Sequence, residues 1–116
     1  MRVVIQRVAD ARVSVQGVVK SQISKGILVL LGVEKNDIEE DADWLVKKIS
    51  HLRIFGDHKG LMNNSLLDIN GEVIVVSQFT LYAKTRKGNR PSYIAAANSK
   101  KALLLYNFFI QSLEHE

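Results

Sequence analysis

The feature that most constrains this sequence is an apolar run, ILVLLGV at residues 27–33, which follows Gly26 directly. The run has the length of a strand and no polar residue on either alternating face, so it predicts a central strand covered on both sides. A second run, EVIVVSQFT at residues 72–80, predicts another buried strand that becomes polar towards its end. Strands of this kind require packing layers above and below a sheet.

Three further segments predict strands around that centre. Residues 2–8, RVVIQRV, are rich in β-branched side chains and apolar on both faces, which predicts an internal strand. Residues 11–16 alternate between apolar and polar, and Gly17 marks a turn into residues 18–23, so this stretch predicts a hairpin. Residues 53–55 are expected to begin another short strand.

Two helices are indicated by apolar residues at helical spacing. Asn36 is expected to cap the first helix, with Glu39 completing a capping box and further acidic residues suiting the dipole. The apolar stripe of the first helix is Ile38, Ala42, Leu45, Val46, Ile49 and Leu52. The last helix carries one stripe of Ala102, Leu105, Tyr106, Phe109 and Leu113, flanked by Leu103, Leu104, Phe108 and Ile110. This apolar surface exceeds one sheet contact and predicts an additional packing partner.

The order of these segments predicts an α/β fold, with mixed β-sheets packed against two main helices in a single layered domain over residues 1–116. No apolar run reaches the roughly 18 residues of a membrane span, and Arg7 interrupts the stretch that a signal peptide would need. We therefore expect a cytoplasmic protein with no membrane partner. The chain has no cysteine, which excludes disulfides, thiol nucleophiles and thiolate metal sites.

The formal net charge of +4 permits a polyanionic partner without requiring one. Much of the surplus falls within seven residues that include no acid: Lys84, Arg86, Lys87 and Arg90. On charge alone, a solvated loop explains this run most simply. However, Tyr82 precedes the run and Tyr93 follows it, and cations interleaved with aromatic rings suit a phosphate backbone and an unpaired base.

Most familiar catalytic motifs are missing from the sequence. It contains no Gly-x-Ser-x-Gly elbow, no His-Glu-x-x-His pair and no phosphate-binding glycine loop. The three histidines, His51, His58 and His115, are scattered along the chain, and surface or helix-capping roles suit them best. We therefore expect neither a catalytic triad nor a metal site.

The remaining candidate site is the polar end of the second buried strand. Period-two alternation places Ser77 with Phe79 on one face and Gln78 with Thr80 on the other. Ligands commonly bind where strands emerge into loops, so these side chains can form the edge of a site. They can equally satisfy loose backbone groups at a fraying strand, and the residues alone favour that second interpretation.

Several segments resemble the D-aminoacyl-tRNA deacylase family in order across essentially the whole chain: MRVVIQRV, LVLLGVEK, LRIF before a turn, and VVSQFTLY with a downstream KGNRPS. The resemblance implies a cofactor-free homodimer that hydrolyses the ester of D-aminoacyl-tRNA in an interface pocket receiving the aminoacylated 3′ end. It places Ser77, Gln78, Phe79 and Thr80 in the pocket. The basic run is then the tRNA contact, and Arg7 and Pro91 support the site.

Two mechanisms are open for such a site. Thr80 could act as a nucleophile or a polarising hydroxyl, which would ordinarily require an adjacent base. Alternatively, the protein positions the ester and donates backbone N–H groups to the oxyanion, while the ribose 2′-hydroxyl of the substrate helps to activate water. The second mechanism is preferred, because the sequence offers no side-chain base for the first.

The resemblance also implies strands after the last helix that carry an Asn-x-Gly-Pro-type motif. In the family, its Gly-cis-Pro element is braced by the residue that corresponds to Arg7 and rejects L-amino acids. The 116 residues contain no Gly-Pro dipeptide, so we expect this segment to be lacking and the chain to be either inactive or poorly selective between D- and L-aminoacyl-tRNA. Two other classes stay open: a non-catalytic nucleic-acid-binding relative, and a structural dimer without a substrate. The SQFTL stretch favours the hydrolase.

Overall fold

Seven strands and two long helices make up the fold, and the computed structural model describes every residue from 1 to 116. The strands are β1 (Arg2–Val8), β2 (Ala11–Val15), β3 (Val18–Ile23), β4 (Gly26–Gly32), β5 (Phe55–Gly56), β6 (Met62–Asn64) and β7 (Glu72–Ser77). The long helices are α1 (Glu39–His51) and α2 (Ser99–Glu114), and a short 3₁₀ helix spans Phe79–Tyr82. Neither long helix combines the length and the apolar character that crossing a bilayer requires.

The main sheet has the order β1-β4-β7, with β1 antiparallel and β7 parallel to β4. The central position predicted for β4 is confirmed by this order. The predicted cover is complete on one face only, where Ile27, Val29 and Leu31 are fully buried, whereas Leu28 and Leu30 on the other face are half-buried. The internal position predicted for β1 is wrong. It lies at the edge of the sheet, and only alternate residues face the core, so Val4 is 48% exposed. The apolar composition of β1 predicted more burial than the structure shows, because β-branched residues also suit a half-exposed edge strand.

One face of the main sheet carries both helices. Phe109 of α2 is fully buried and belongs to the same core cluster as Val29 of β4 and Val46 of α1. Most of the residues in the two predicted stripes therefore belong to the core or pack against it. Ile38 is an exception, because it lies at the N-cap of α1 and is 54% exposed. The flank of α2 is uncovered in part: Leu103 and Leu104 are exposed to 59% and 63%, whereas Phe108 packs against the core.

The start of α1 differs from the sequence prediction, because the helix begins two residues later. Its N-cap is Ile38, whose backbone N–H donates a hydrogen bond to the Asp41 carboxylate at 2.9 Å, so neither Asn36 nor Glu39 has its predicted capping role. The Asp37 carboxylate accepts a hydrogen bond at 2.6 Å from the backbone N–H three residues earlier. This bond holds the preceding residues in a turn and delays the helix.

The end of β7 also differs from the prediction of a strand through Thr80. The strand ends at Ser77, and the N–H of Gln78 donates to the carbonyl of Leu31 at 2.7 Å. Because β4 itself ends at Gly32, no strand partner remains for the following residues. The chain satisfies its backbone groups locally by turning into the 3₁₀ helix.

Candidate active site

A surface cavity of about 780 Å³ opens where β7 ends, between the 3₁₀ helix and the N-terminal end of α2. Its volume lies in the range of small-molecule sites, roughly 300–1,000 Å³. The residues that line it are Ser77, Phe79, Tyr93, Ala96, Ala97, Asn98, Ser99, Ala102, Leu103 and Tyr106. None of these side chains is a carboxylate, an imidazole or a cation. The cavity therefore offers an apolar surface with a few hydroxyl and amide groups.

The four residues predicted for the site divide into two pairs. Ser77 and Phe79 line the cavity, whereas Gln78 and Thr80 do not. Instead, the side-chain amide of Gln78 donates a hydrogen bond to the hydroxyl of Thr80. The pairing that strand alternation predicted thus holds, but it arises from the turn into the 3₁₀ helix rather than from an extended strand.

The sequence predicted Tyr93 as an aromatic ring beside the cations, but not that residues between 93 and 102 help to form the wall of the cavity that Phe79 also lines. The rings of Tyr93 and Phe79 meet edge to face, with their centroids 5.1 Å apart and an interplanar angle of 73°. Beside them, Ala96, Ala97 and Ala102 have small side chains that leave the cavity open. The run IAAANS at residues 94–99 was the available signal, because its small side chains leave space beside larger neighbours.

Hydrogen bonds fasten this wall to the main sheet. The N–H of Ala97 donates to the carbonyl of Val33, just beyond β4, at 2.9 Å. The hydroxyl of Tyr106 donates to the carbonyl of Val75 in β7 at 3.1 Å. Both walls of the cavity are thus connected to neighbouring strands, and rigid support of this kind favours precise positioning of a ligand.

The 3₁₀ helix is held across the end of β4 by close contacts. The Nη1 of Arg2 donates to the carbonyl of Leu81 at 2.6 Å, and the guanidinium carbon lies 4.4 Å from the centre of the Tyr82 ring. Gly32 lies directly beneath, where a Cβ atom would be 3.1 Å from Leu81 and 3.2 Å from the Tyr82 ring. This packing determines where Phe79 enters the cavity.

Tyr82 does not supply a base for chemistry in this helix. Burial of its hydroxyl, with added repulsion from the carboxylates of Asp37 and Glu34, raises the pKa of Tyr82 to about 12. Burial disfavours the charged phenolate, and nearby negative charge does the same. The side chain is therefore neutral at physiological pH.

The predicted basic run forms a closed loop beside the cavity, called the basic loop below. Backbone hydrogen bonds of 2.7 and 2.9 Å between Lys84 and Ser92 close its base, and Gly88 adopts a positive φ of 73° at its tip. All four predicted cations and Pro91 are exposed. Tyr93 follows Ser92 and enters the cavity wall, so the loop leads directly into the cavity.

Arg7 lies away from the cavity. It is paired with Ile27 near the start of β4, whereas Ser77 is paired with Leu31 near its end. Four strand residues separate these positions, roughly 13 Å at the usual rise. The Nη1 of Arg7 donates to the carbonyl of Ile54 at 2.8 Å. Within one chain, the structure does not bring Arg7 to the predicted site.

The structure thus shows a small α/β protein with an uncharged cavity beside a cationic loop. The model of the D-Tyr-tRNA(Tyr) deacylase family matches residues 4–116, and the chain belongs to that family. The resemblance predicted from the sequence is thereby confirmed.

Curated relatives carry the name of this family, and solved structures share the fold. The D-aminoacyl-tRNA deacylase of Phocaeicola vulgatus is 57% identical over 113 residues, which cover 97% of this chain and 75% of that protein. The D-aminoacyl-tRNA deacylase of Thermosipho melanesiensis is 55% identical over 116 residues, which cover 100% of this chain and 77% of that protein. A solved structure titled c-Myc DNA Unwinding Element Binding Protein has a TM-score of 0.94 at 39% identity. The match covers 99% of this chain and 77% of that one.

A second solved structure, of a probable eukaryotic D-amino acid tRNA deacylase, has a TM-score of 0.80 at 20% identity and covers 96% of this chain and 65% of that one. At this identity the likeness concerns the fold alone. It agrees with the α/β class predicted from the sequence, in which mixed sheets pack against two helices. That prediction is confirmed.

Proposed function

We propose that this protein is a D-aminoacyl-tRNA deacylase, which hydrolyses the ester between a D-amino acid and the 3′ end of tRNA. The observation that carries the proposal is the cavity at the end of β7, because Ser77 and Phe79 of the family-like SQFTL segment line it. Curated relatives that are 54–59% identical carry this name. They favour a hydrolase over the alternative of a non-catalytic nucleic-acid-binding relative.

The two parts of the site suit the two parts of such a substrate. The uncharged cavity accommodates the aminoacyl group and the terminal adenosine, with Phe79 and Tyr93 offering aromatic rings for stacking. The basic loop lies at the cavity wall, where cations can contact the phosphates that precede the terminal nucleotide. An aminoacylated RNA end combines both kinds of group.

The composition of the cavity favours positioning over side-chain acid–base chemistry. No lining residue is a carboxylate or an imidazole, and the Thr80 hydroxyl accepts a hydrogen bond from the side-chain amide of Gln78. The N–H groups of Phe79 and Thr80 begin the 3₁₀ helix, and the first amides of a helix have no acceptor within it. These amides are available to an oxyanion, and the substrate's ribose 2′-hydroxyl assists water.

A deacylation time course on D-tyrosyl-tRNA tests the proposal directly. The protein is expected to release D-tyrosine much faster than buffer alone. Matched L-tyrosyl-tRNA in the same assay measures how strongly hydrolysis depends on the chirality of the amino acid. Protein that is folded and binds tRNA, but does not accelerate release, would leave only the non-catalytic alternative.

Thr80→Ala is expected to reduce the deacylation rate by about tenfold or less, which corresponds to the loss of one neutral hydrogen bond. Loss of an essential nucleophile would instead lower the turnover rate by on the order of a million-fold. Single-turnover rates of Thr80→Ala and Thr80→Ser, compared with the unmodified protein, provide the measurement. If alanine abolishes turnover in a folded protein while serine restores it, the covalent mechanism is correct.

Replacing Lys84, Arg86, Lys87 and Arg90 by alanine is expected to weaken tRNA binding and flatten its salt dependence. Each lost phosphate contact reduces the slope of log K against log salt by about one unit, so the expected change is about three to four units. The control replaces four exposed cations elsewhere, Arg12, Lys20, Lys25 and Lys59. Equal slopes for the two variants would mean that the basic loop is only a solvated surface.

The protein is expected to be a homodimer, and we place it in the cytoplasm, where aminoacyl-tRNA is used. The exposed Leu103 and Leu104 on α2 leave apolar surface that two-fold pairing would cover. Light scattering at micromolar concentration should give about twice the chain mass of 13.0 kDa. Leu104→Asp should shift the protein towards monomer, and a monomeric unmodified protein would contradict the proposal.

A further inference from the structure

The outer face of α1 carries one aromatic and three basic side chains in a single row. Trp44, Lys47, Lys48 and His51 stand at positions i, i+3, i+4 and i+7, so they are neighbours on the helix surface, and all four are exposed. Together with Arg53, just beyond the helix, they line a shallow cavity of about 530 Å³. These five residues are called the α1 patch below.

The exposure of Trp44 is the unusual part of the α1 patch. It is the chain's only tryptophan and is 62% exposed, although tryptophan is highly buried on average. The ammonium nitrogen of Lys48 lies 5.3 Å from the centre of its ring, which is a cation–π contact. An indole presented beside cations offers a stacking surface together with charge.

The cations of the α1 patch have no carboxylate partner. The one ion pair within 4 Å in the structure joins the N-terminal ammonium to Asp37. Arg53 is held by the backbone carbonyl of Asn63, to which its Nε donates at 2.8 Å. The pKa of the nearby Asp68 carboxyl is lowered, chiefly by hydrogen bonds from Ser65. The charges of Arg53 and His51 lower it further. The Asp68 carboxylate thus accepts a hydrogen bond from the Ser65 N–H and forms no ion pair with the cations of the patch.

A structural role explains only part of this arrangement. Basic residues in the last turn of a helix complement its dipole, which accounts for Lys48 and His51. The dipole does not account for an exposed indole in the same row, nor for Arg53 beyond the end of the helix. A ligand that combines negative charge with flat rings accounts for all of them.

We propose that the α1 patch is a second RNA contact, at which the cations hold phosphates of the tRNA body and Trp44 stacks on an unpaired base. The inference rests on the proposed function, because that function makes the substrate an RNA. The patch lies far from the cavity. The cavity is at the N-terminal end of α2, whereas Ser50 near the end of α1 shares a pocket with Leu113 near the other end of α2.

The separation between the two sites suits one extended polyanion. The 16 residues of α2 span about 24 Å at the usual helical rise. Residues of its first half, Ser99 to Tyr106, line the cavity, whereas Leu113 near its other end adjoins α1. The two sites share no lining residue, and an RNA bound at its 3′ end in the cavity is long enough to reach both. The α1 patch therefore contributes to recognition of the RNA body and not to the chemistry.

The single tryptophan makes the test direct, because the intrinsic fluorescence excited at 295 nm reports only Trp44. Uncharged tRNA should quench this fluorescence after inner-filter correction and should protect Trp44 from acrylamide. Unchanged quenching by acrylamide at saturating tRNA would overturn the proposal. Fluorescence that changes with protein concentration in the absence of RNA, with no effect of tRNA, would assign the surface to a second copy of the chain and overturn it equally.

Variants separate the two kinds of contact. Lys47→Gln with Lys48→Gln should reduce the salt slope of tRNA binding by about two units. Trp44→Ala should weaken binding about fivefold or more without changing the slope, because stacking releases no counterions. The charge-matched control is Lys20→Gln with Lys59→Gln. A slope for Lys47→Gln with Lys48→Gln equal to that of the control, or unchanged affinity of Trp44→Ala, would overturn the proposal.

Deacylation assays distinguish failure of this inference from failure of the proposed function. Substitutions in the α1 patch should raise KM for D-tyrosyl-tRNA, but should leave hydrolysis of a D-tyrosyl ester of adenosine alone unchanged. Unmodified protein that hydrolyses neither substrate contradicts the proposed function. Unmodified protein that hydrolyses both, with variants that show the same KM on tRNA, contradicts the inference alone.

Discussion

Replacing Ala102 by tryptophan is expected to lower the deacylation rate on D-tyrosyl-tRNA by on the order of a hundredfold or more. Ala102 lines the cavity at the start of α2, opposite Ser77 and Phe79, and an indole there would occupy space that the substrate needs. Displacement of a reacting group by about 1 Å can cost about a hundredfold in rate. Single-turnover deacylation with saturating enzyme provides the measurement.

The matched control is Gln111→Trp, an exposed position on the same helix outside the cavity. This variant should retain the unmodified rate. Ala102→Trp should still bind uncharged tRNA with an unchanged salt slope, since the basic loop is intact. A folded Ala102→Trp variant with full activity would show that hydrolysis does not take place in this cavity.

Replacing Phe109 by alanine is expected to lower the free energy of unfolding by about 3–5 kcal/mol, as is typical of buried Phe→Ala changes. Phe109 is fully buried and contributes from α2 to the core cluster formed with β4 and α1. The large expected effect combines the lost burial of the ring with the cavity that is left behind. Urea denaturation at fixed protein concentration, followed by circular dichroism, measures the change.

Asn107→Ala serves as the control for this change, because Asn107 is exposed on the same helix. It should change the free energy of unfolding by no more than about 0.5 kcal/mol. If Phe109→Ala were equally mild, α2 would not be anchored to the sheet through this ring. The position of the cavity wall that α2 carries would then need another explanation.

Local periodicity was sufficient to predict most elements. The apolar run of β4, the alternation of β2 and the helical stripe of α2 each correspond to the element that formed. These patterns succeed because the backbone of each element repeats its side-chain directions every 2 or 3.6 residues, whatever lies elsewhere in the chain. The same reasoning paired Ser77 with Phe79, and these are the two predicted site residues that line the cavity.

Element ends and positions within the sheet were predicted less well, because they depend on contacts between distant residues. β1 is an edge strand because no strand pairs with its outer side, which its composition does not reveal. β7 ends at Ser77 because β4 ends at Gly32. The first turn of α1 is displaced because the Asp37 carboxylate holds the preceding turn.

The sequence by itself determined the class of fold, the family and the cationic character of the basic loop, since these depend on composition and local order. Only the tertiary structure decided that Tyr93 packs against Phe79 and that the alanines after it line the same cavity. It also showed why residue 26 is glycine: a Cβ there would lie 1.8 Å from the carbonyl oxygen of Glu72. The physical reason is that such contacts join segments far apart in the chain, and side-chain periodicity within one segment carries no information about the path between them.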